Sequence, residues 1–172
     1  EVAEQDLTDW RYMNTRILKK KNCLITGATG GIGEEISKQL ATLSCNLFLT
    51  STNKTKLEKL KKNLRKINTS IAIETFPVNL DSEENVLELI KHVRKKFASI
   101  NILINCAGIF MIKSIEKSTI EDFDKSINLN VKVPFILSRE FSKDMITKKW
   151  GRIMFVGSSS SYSGFENGSV YC

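Results

Sequence analysis

The stretch from Asn22 to Leu43 leaves a chain few choices. An apolar run, Asn22 to Thr26, ends in Gly27-Ala28-Thr29-Gly30-Gly31-Ile32-Gly33, and an amphipathic stretch follows. Strand, tight turn and helix satisfy all three segments: the run is short and aliphatic, the turn is glycine-rich, and the last part repeats its apolar residues at helical spacing. In such a turn side chains are nearly absent, so backbone amides at the helix N-terminus can approach a pyrophosphate. Glycines also serve close packing. The strand before and the helix after are the context that points to a dinucleotide.

The same alternation continues along the chain. Further strands are expected at Asn46 to Thr50, Ser70 to Phe76, Asn101 to Asn105 and Arg152 to Val156. Helices are expected at Gly31 to Leu43, Lys54 to Ile67 and Ser82 to Phe97, the second carrying Leu57, Leu60, Leu64 and Ile67 on one face. A fourth helix, from about Thr119 to Lys148, must kink or break at Pro134, which has no amide for the helix ladder. Asp81 with Glu84 and Ser118 with Glu121 have capping-box spacing and mark helix starts. Strands alternating with helices predict an α/β fold, a Rossmann-like doubly wound parallel sheet with helices on both faces.

At 172 residues the chain has the length of one domain. Met13 stands at a natural distance before the first strand, so residues 1–12 read as an extension of unassigned role and 13–172 as the nucleotide-binding domain. The chain ends at Tyr171-Cys172 without a terminal helix, and the domain reads as incomplete at its C-terminus. No run approaches the ~20 apolar residues of a membrane span, and the acidic start is no signal peptide, so a cytoplasmic protein is expected. Cys23, Cys45, Cys106 and Cys172 are widely spaced and suit free thiols. His92 lies among lysines without a partner and reads as a surface residue, and no cluster has metal-ligand spacing. The net charge of +7 suits a phosphorylated cofactor or an acidic carrier protein better than nucleic acid, because the lysines of 54–66 are interleaved with apolar positions, as on a solvated helix face.

With these motifs in view the chain resembles the short-chain dehydrogenase/reductase family. Thr26 to Gly33 is similar to its Thr-Gly-x-x-x-Gly-x-Gly motif through Gly27, Gly31 and Gly33; read through Gly27, Gly30 and Gly33 it matches the extended, sugar-nucleotide branch instead. Asn105-Cys106-Ala107-Gly108 resembles the family's Asn-Asn-Ala-Gly and favours the compact single-domain branch. Phe123 to Val131 resembles the helix whose asparagine helps to hold a proton-relay water, and the register selects Asn130 over Asn128. Ser158, with Ser159 as fallback, and Tyr171 thirteen residues later match the spacing of the catalytic serine and tyrosine. In the family a lysine follows four residues after the tyrosine; here that position lies past Cys172.

The resemblance implies hydride transfer between a nicotinamide and a carbonyl or secondary alcohol, with Ser158 on the substrate oxygen and Tyr171 as proton donor. It also implies a cofactor site of Gly27, Ala28, Thr29, Gly30, Gly31, Ile32 and Gly33, then Ser51 and Thr52, the adenine-contacting pair Asn79 and Leu80, and Asn105, Ala107 and Gly108. NAD readers of this fold usually carry a carboxylate at the end of the second strand. Here the corner reads Thr50-Ser51-Thr52-Asn53-Lys54, which favours NADP, with NAD the alternative. Among generic compact members 3-oxoacyl carrier-protein reduction is the most common activity; a sugar, polyol or other secondary-alcohol dehydrogenase is the second reading, and a dinucleotide-binding module or fragment without turnover the third. Family members are usually dimers or tetramers through helices that include the fourth, and the resemblance implies the same for the full-length protein. As a 172-residue piece the chain is expected to be inactive alone.

Overall fold

The computed structural model describes residues 15–172; the expectations for residues 1–12 and Met13 lie outside the described residues. Five parallel strands form one sheet: β1 (Asn22–Thr26), β2 (Asn46–Ser51), β3 (Ile73–Pro77), β4 (Ile102–Asn105) and β5 (Arg152–Phe155), in the order β3-β2-β1-β4-β5. Between them run α1 (Gly31–Thr42), α2 (Lys54–Ile67), α3 (Glu83–Lys96), α4 (Ile120–Ile127) and α5 (Val133–Thr147). The register is set by alternation. Leu24, Phe48 and Leu103 point to one face and pack with Val86, Leu89 and Val93 of α3 and Val133, Leu137 and Phe141 of α5. Cys23, Ile25, Leu47, Leu49, Ile102 and Ile104 point to the other, onto Leu57, Leu60 and Leu64 of α2 and Ala41 of α1. Helices therefore cover both faces, as a doubly wound sheet requires.

The chain reverses direction of winding at β1, whose neighbours are β2 on one side and β4 on the other. A crevice opens outside the carboxyl ends of these strands, where such sheets hold ligands.

Three elements differ from expectation. β3 starts at Ile73, not Ser70, because pairing with β2 begins at Leu47↔Ile73 and Asn68 to Ser70 are held in a turn by the Asn68 side chain. The caps lie one residue later than expected. Ser82 accepts from the Asn85 amide, and Thr119 forms the capping box with Asp122, while Ser118 donates to the Ser114 carbonyl and Asp81 accepts from Asn79 and Asn85. Finally, the long fourth helix is two helices joined by a wide π turn, Asn128–Lys132, with Pro134 in the first turn of α5 where no amide is needed. His92 is half-buried rather than purely superficial: its ring stacks on Phe76, centroids 3.8 Å apart.

The cap of α4 carries a pH dependence. Lys113 hydrogen-bonds the Asp122 carboxylate and the Thr119 amide adds a second bond, which lowers its pKa from the ordinary 3.8 to about 2. A depressed carboxyl contributes stability above its ordinary pKa and loses it as pH falls toward the folded value. Asp122→Asn is therefore expected to lower the melting temperature at pH 7, and the difference from the parent should shrink between pH ~4 and ~2. A gap that stays constant with pH would show that the charge is not what matters.

Candidate active site

A cleft of about 420 Å3 lies at the switch point. Its walls come from three places: the β1–α1 turn (Gly27, Gly30, Gly31, Ile32, Gly33), the segment after β4 (Asn105 to Phe110), and the segment after β5 with Ser158, Ser161 and Tyr171. Asn130 and Pro134 close it from the π turn.

The glycines are not equivalent. Gly27 has φ +64°, and a Cβ there would stand 2.8 Å from the Ala107 main chain. A Cβ on Gly33 would stand 2.3 Å from the Gly27 carbonyl oxygen, whereas Gly31 has open space and Gly30 only a 3.4 Å contact. The turn is thus pressed against the β4 loop on one side and onto its own helix on the other. Gly30, Gly31 and Gly33 carry no side chain, so the main chain at the start of α1 borders the cleft directly, with Ile32 beside it. No ionised side chain lines the cleft among the described residues. An anion placed there would meet main-chain amides and the positive end of the helix dipole.

Thr26 joins the two halves of the site, a role the sequence reading did not assign. Its buried Oγ1 accepts from the amides of Cys106, at 3.1 Å, and Ala107, at 3.0 Å. Thr26→Val leaves two part-buried amides without an acceptor, at up to about 1–3 kcal/mol each, so a fall in stability is expected and Thr26→Ser should restore most of it. Chemical denaturation of the three proteins checks this; equal midpoints would remove Thr26 from the framework. Asn105, 4 % exposed, donates from Nδ2 to the Met154 carbonyl, and its buried Oδ1 has no partner among the described residues.

Asn130 sits in the π turn. Its Oδ1 accepts from the Ile109 amide at 2.9 Å and its Nδ2 donates to the Ile109 carbonyl at 3.1 Å, which fixes the loop after β4. In a regular helix its own carbonyl would accept from residue 134, a proline without an amide. Asn128 turns away and donates to the carbonyls of Leu80 and Asp81. Ser158 caps a short turn, Ser159–Ser161, accepting from the Ser160 amide, and it lines the cleft; Ser159 does not. Tyr171 faces the same cleft, its ring edge-on to Phe110.

The remaining expected residues lie outside the cleft walls. Ala28 is fully buried and its amide donates to the Thr50 carbonyl, so it braces β1 against β2 and has neither group free for a ligand. Leu80 is a core residue, 5 % exposed, and could meet a ligand only through its main chain. Thr29, Ser51, Thr52 and Asn79 stand along the same edge of the sheet but do not line the cleft. Cys106, which does, has its thiol pKa raised by burial, as do Cys23 and Cys45, the last to about 11. All four cysteines are free.

Fold and cleft together define a Rossmann-like α/β domain whose site is built at the sheet's switch point. The family described as short chain dehydrogenase matches residues 21–172, and the chain belongs to the short-chain dehydrogenase/reductase family. It is 36% identical over 155 residues to a 3-oxoacyl-acyl-carrier-protein reductase of Rickettsia bellii, covering 90% of this chain and 61% of the relative, and 31% identical over 147 residues to that of Buchnera aphidicola, covering 86% and 58%. The chain spans about three fifths of the curated relatives it matches. Among solved structures it resembles an NAD+-bound xylitol dehydrogenase (TM-score 0.80, 28% identity, 90% of this chain and 59% of that one). It shares its fold with a metagenomic short-chain oxidoreductase in complex with NADP (TM-score 0.82, 24% identity, 90% and 69%).

Proposed function

We propose that the protein carrying this chain is an NADP(H)-dependent oxidoreductase that interconverts a carbonyl and a secondary alcohol, with a 3-oxoacyl thioester as the favoured substrate. The observation that carries the reading is that one cleft holds both the bare amide cradle of α1 and, across it, Ser158 and Tyr171. The residues present fit a dinucleotide: Gly27 and Gly33 let the turn close onto the β4 loop and its own helix, and Gly30 and Gly31 put no side chain into the open space before the α1 amides, where its pyrophosphate would lie. When bound, the nicotinamide supplies the hydride. The chain's own residues do the rest. The Ser158 hydroxyl hydrogen-bonds the substrate oxygen, and the Tyr171 hydroxyl delivers the proton to that same oxygen as the carbonyl carbon is reduced. Asn130 and Thr26 keep the β4 loop in place around them.

NADP is preferred over NAD because no carboxylate stands at the end of β2, where Ser51, Thr52 and exposed Lys54 would meet a 2′-phosphate without repulsion. The basic balance of the chain, +7, suits an acidic acyl carrier protein as the thioester's bearer. Self-association as a dimer or tetramer is supported by the exposed apolar row Ile120, Phe123, Ile127, Val131 and Phe135 along α4, the π turn and α5. A polyol or sugar dehydrogenase is the second reading, favoured by the likeness to xylitol dehydrogenase.

The test is a fluorescence titration of the full-length protein with NADPH and NADH, followed by addition of an acetoacetyl thioester. Tighter NADPH binding, and oxidation of the cofactor on adding the thioester, are expected. Binding without turnover on a panel of carbonyls would leave a dinucleotide-binding module and remove the reductase.

A further inference from the structure

The cleft changes character across Tyr171. On one side its walls are glycines and main-chain amides; on the other, the loop after β4 turns an aromatic ring to the phenol. Phe110 is 59 % exposed and lines the same cleft as Ser158 and Tyr171. It meets Tyr171 edge-on, with centroids 4.8 Å apart and planes at 90°, and Phe165 stands 5.5 Å from it. The loop carrying Phe110 is pinned. Asn130 holds both main-chain groups of Ile109, the Lys113 amide donates to the Asn167 carbonyl at 2.6 Å, and Lys113 pairs with Asp122. An exposed ring held in place inside a cleft, without a hydrogen-bonding group of its own, is a surface for apolar ligand atoms.

We propose that Phe110, backed by Phe165, is a specificity-determining residue of this site. It forms an apolar wall beside the Tyr171 phenol that selects carbonyl compounds bearing a hydrocarbon substituent on that side over polyhydroxylated ones of similar size. The inference rests on the proposed function in one respect, that the reacting carbonyl sits at Tyr171. A methylene laid on the ring leaves water and gains contacts, whereas a hydroxyl laid there loses its water partners and finds none in return. The same asymmetry separates the two readings of the substrate: an acyl chain suits this wall and a polyol does not.

The test uses binding, so that it does not depend on turnover. Hexanamide and erythronamide, two non-reacting amides of similar size, are titrated by calorimetry into the full-length protein saturated with NADP+. The parent should bind hexanamide at least about tenfold more tightly. Phe110→Ser should reduce that ratio to about threefold or less, while Phe110→Leu, which stays apolar, should keep most of it. Thermal melting of both variants is measured alongside, so that a loss of fold is told apart from a loss of the wall. Equal binding of the two amides by the parent, or a ratio unchanged in Phe110→Ser, overturns the proposal. A preference for hexanamide in a protein that reduces no carbonyl would keep the wall and remove the reductase; turnover of polyhydroxylated and apolar ketones alike, with no preference in binding, would keep the reductase and remove the wall.

Discussion

Gly33→Ala in the full-length protein is expected to weaken NADPH binding by about 100-fold or more and to destabilise the fold by about 1–3 kcal/mol. The added methyl would lie 2.3 Å from the Gly27 carbonyl oxygen and 3.0 Å from the Ala28 Cα, both main-chain atoms that cannot rotate away. The turn cannot move outward either, because Gly27 is packed so closely on the β4 loop that a Cβ built on it would lie 2.8 Å from the Ala107 main chain, and the Ala107 amide is hydrogen-bonded to Thr26. The strain can be relieved only by lifting the start of α1, which displaces the amides that would hold the pyrophosphate. Gly31→Ala is the internal comparison: its Cβ meets nothing within 4 Å, and a methyl in the first turn of a helix should leave the melting temperature unchanged or slightly raised. Fluorescence titration and thermal denaturation of both variants check the pair. Parent-like NADPH affinity in Gly33→Ala would show that the dinucleotide does not use this cradle.

Tyr171→Phe should lower kcat for carbonyl reduction by about 10²–10⁴-fold, the range for removing a positioned proton donor. The contacts that hold Tyr171 in place, edge-on to Phe110 and tilted to Phe165, belong to the ring, and phenylalanine keeps them. Dinucleotide affinity and melting temperature should therefore stay near the parent's, so the loss falls on the chemical step. Rapid-mixing measurement of cofactor oxidation with an acetoacetyl thioester separates the two. Turnover retained within a few-fold would move the proton donor to another group in the cleft and reopen the role of Ser158.

Local signals in the chain were strong where the physics is local. Helix α2 runs from Lys54 to Ile67 as its leucine spacing predicts, because Asn53 caps it and Leu57, Leu60 and Leu64 repeat at the helical period. β1 likewise has its expected bounds, Asn22–Thr26. Errors appear where a distant partner decides. The start of β3 waits for β2 to offer a ladder; the caps at Ser82 and Thr119 are a local error of one residue, because two adjacent polar side chains compete for the same helix start. Pro134 announced a break in the fourth helix, but not that the chain would widen into a π turn before it and resume helix after it.

The site divides in the same way. The glycine turn, Asn130, Ser158 and Tyr171 were legible as motifs, and all of them line one cleft. Ala28 and Leu80 were drawn into the site by motif position alone, and burial against β2 and α3 takes their side chains out of it. Thr26 and Phe110 were missed because their roles exist only between segments. Thr26 serves amides 80 and 81 residues away, and Phe110 gains its meaning from a tyrosine that the β5 segment brings to within 4.8 Å.

Sequence by itself determined the order of strands and helices, the apolar faces that make them layers, and the glycine turn where a phosphate can be met, since each follows from the period and steric demands of neighbouring residues. Only the tertiary structure decided which glycines are indispensable, what the Asn130 side chain holds, and which ring stands beside the phenol. Those depend on the packing of β1 against β4 and of the β4 loop against the segment after β5, and close packing between distant segments is not encoded in any one of them.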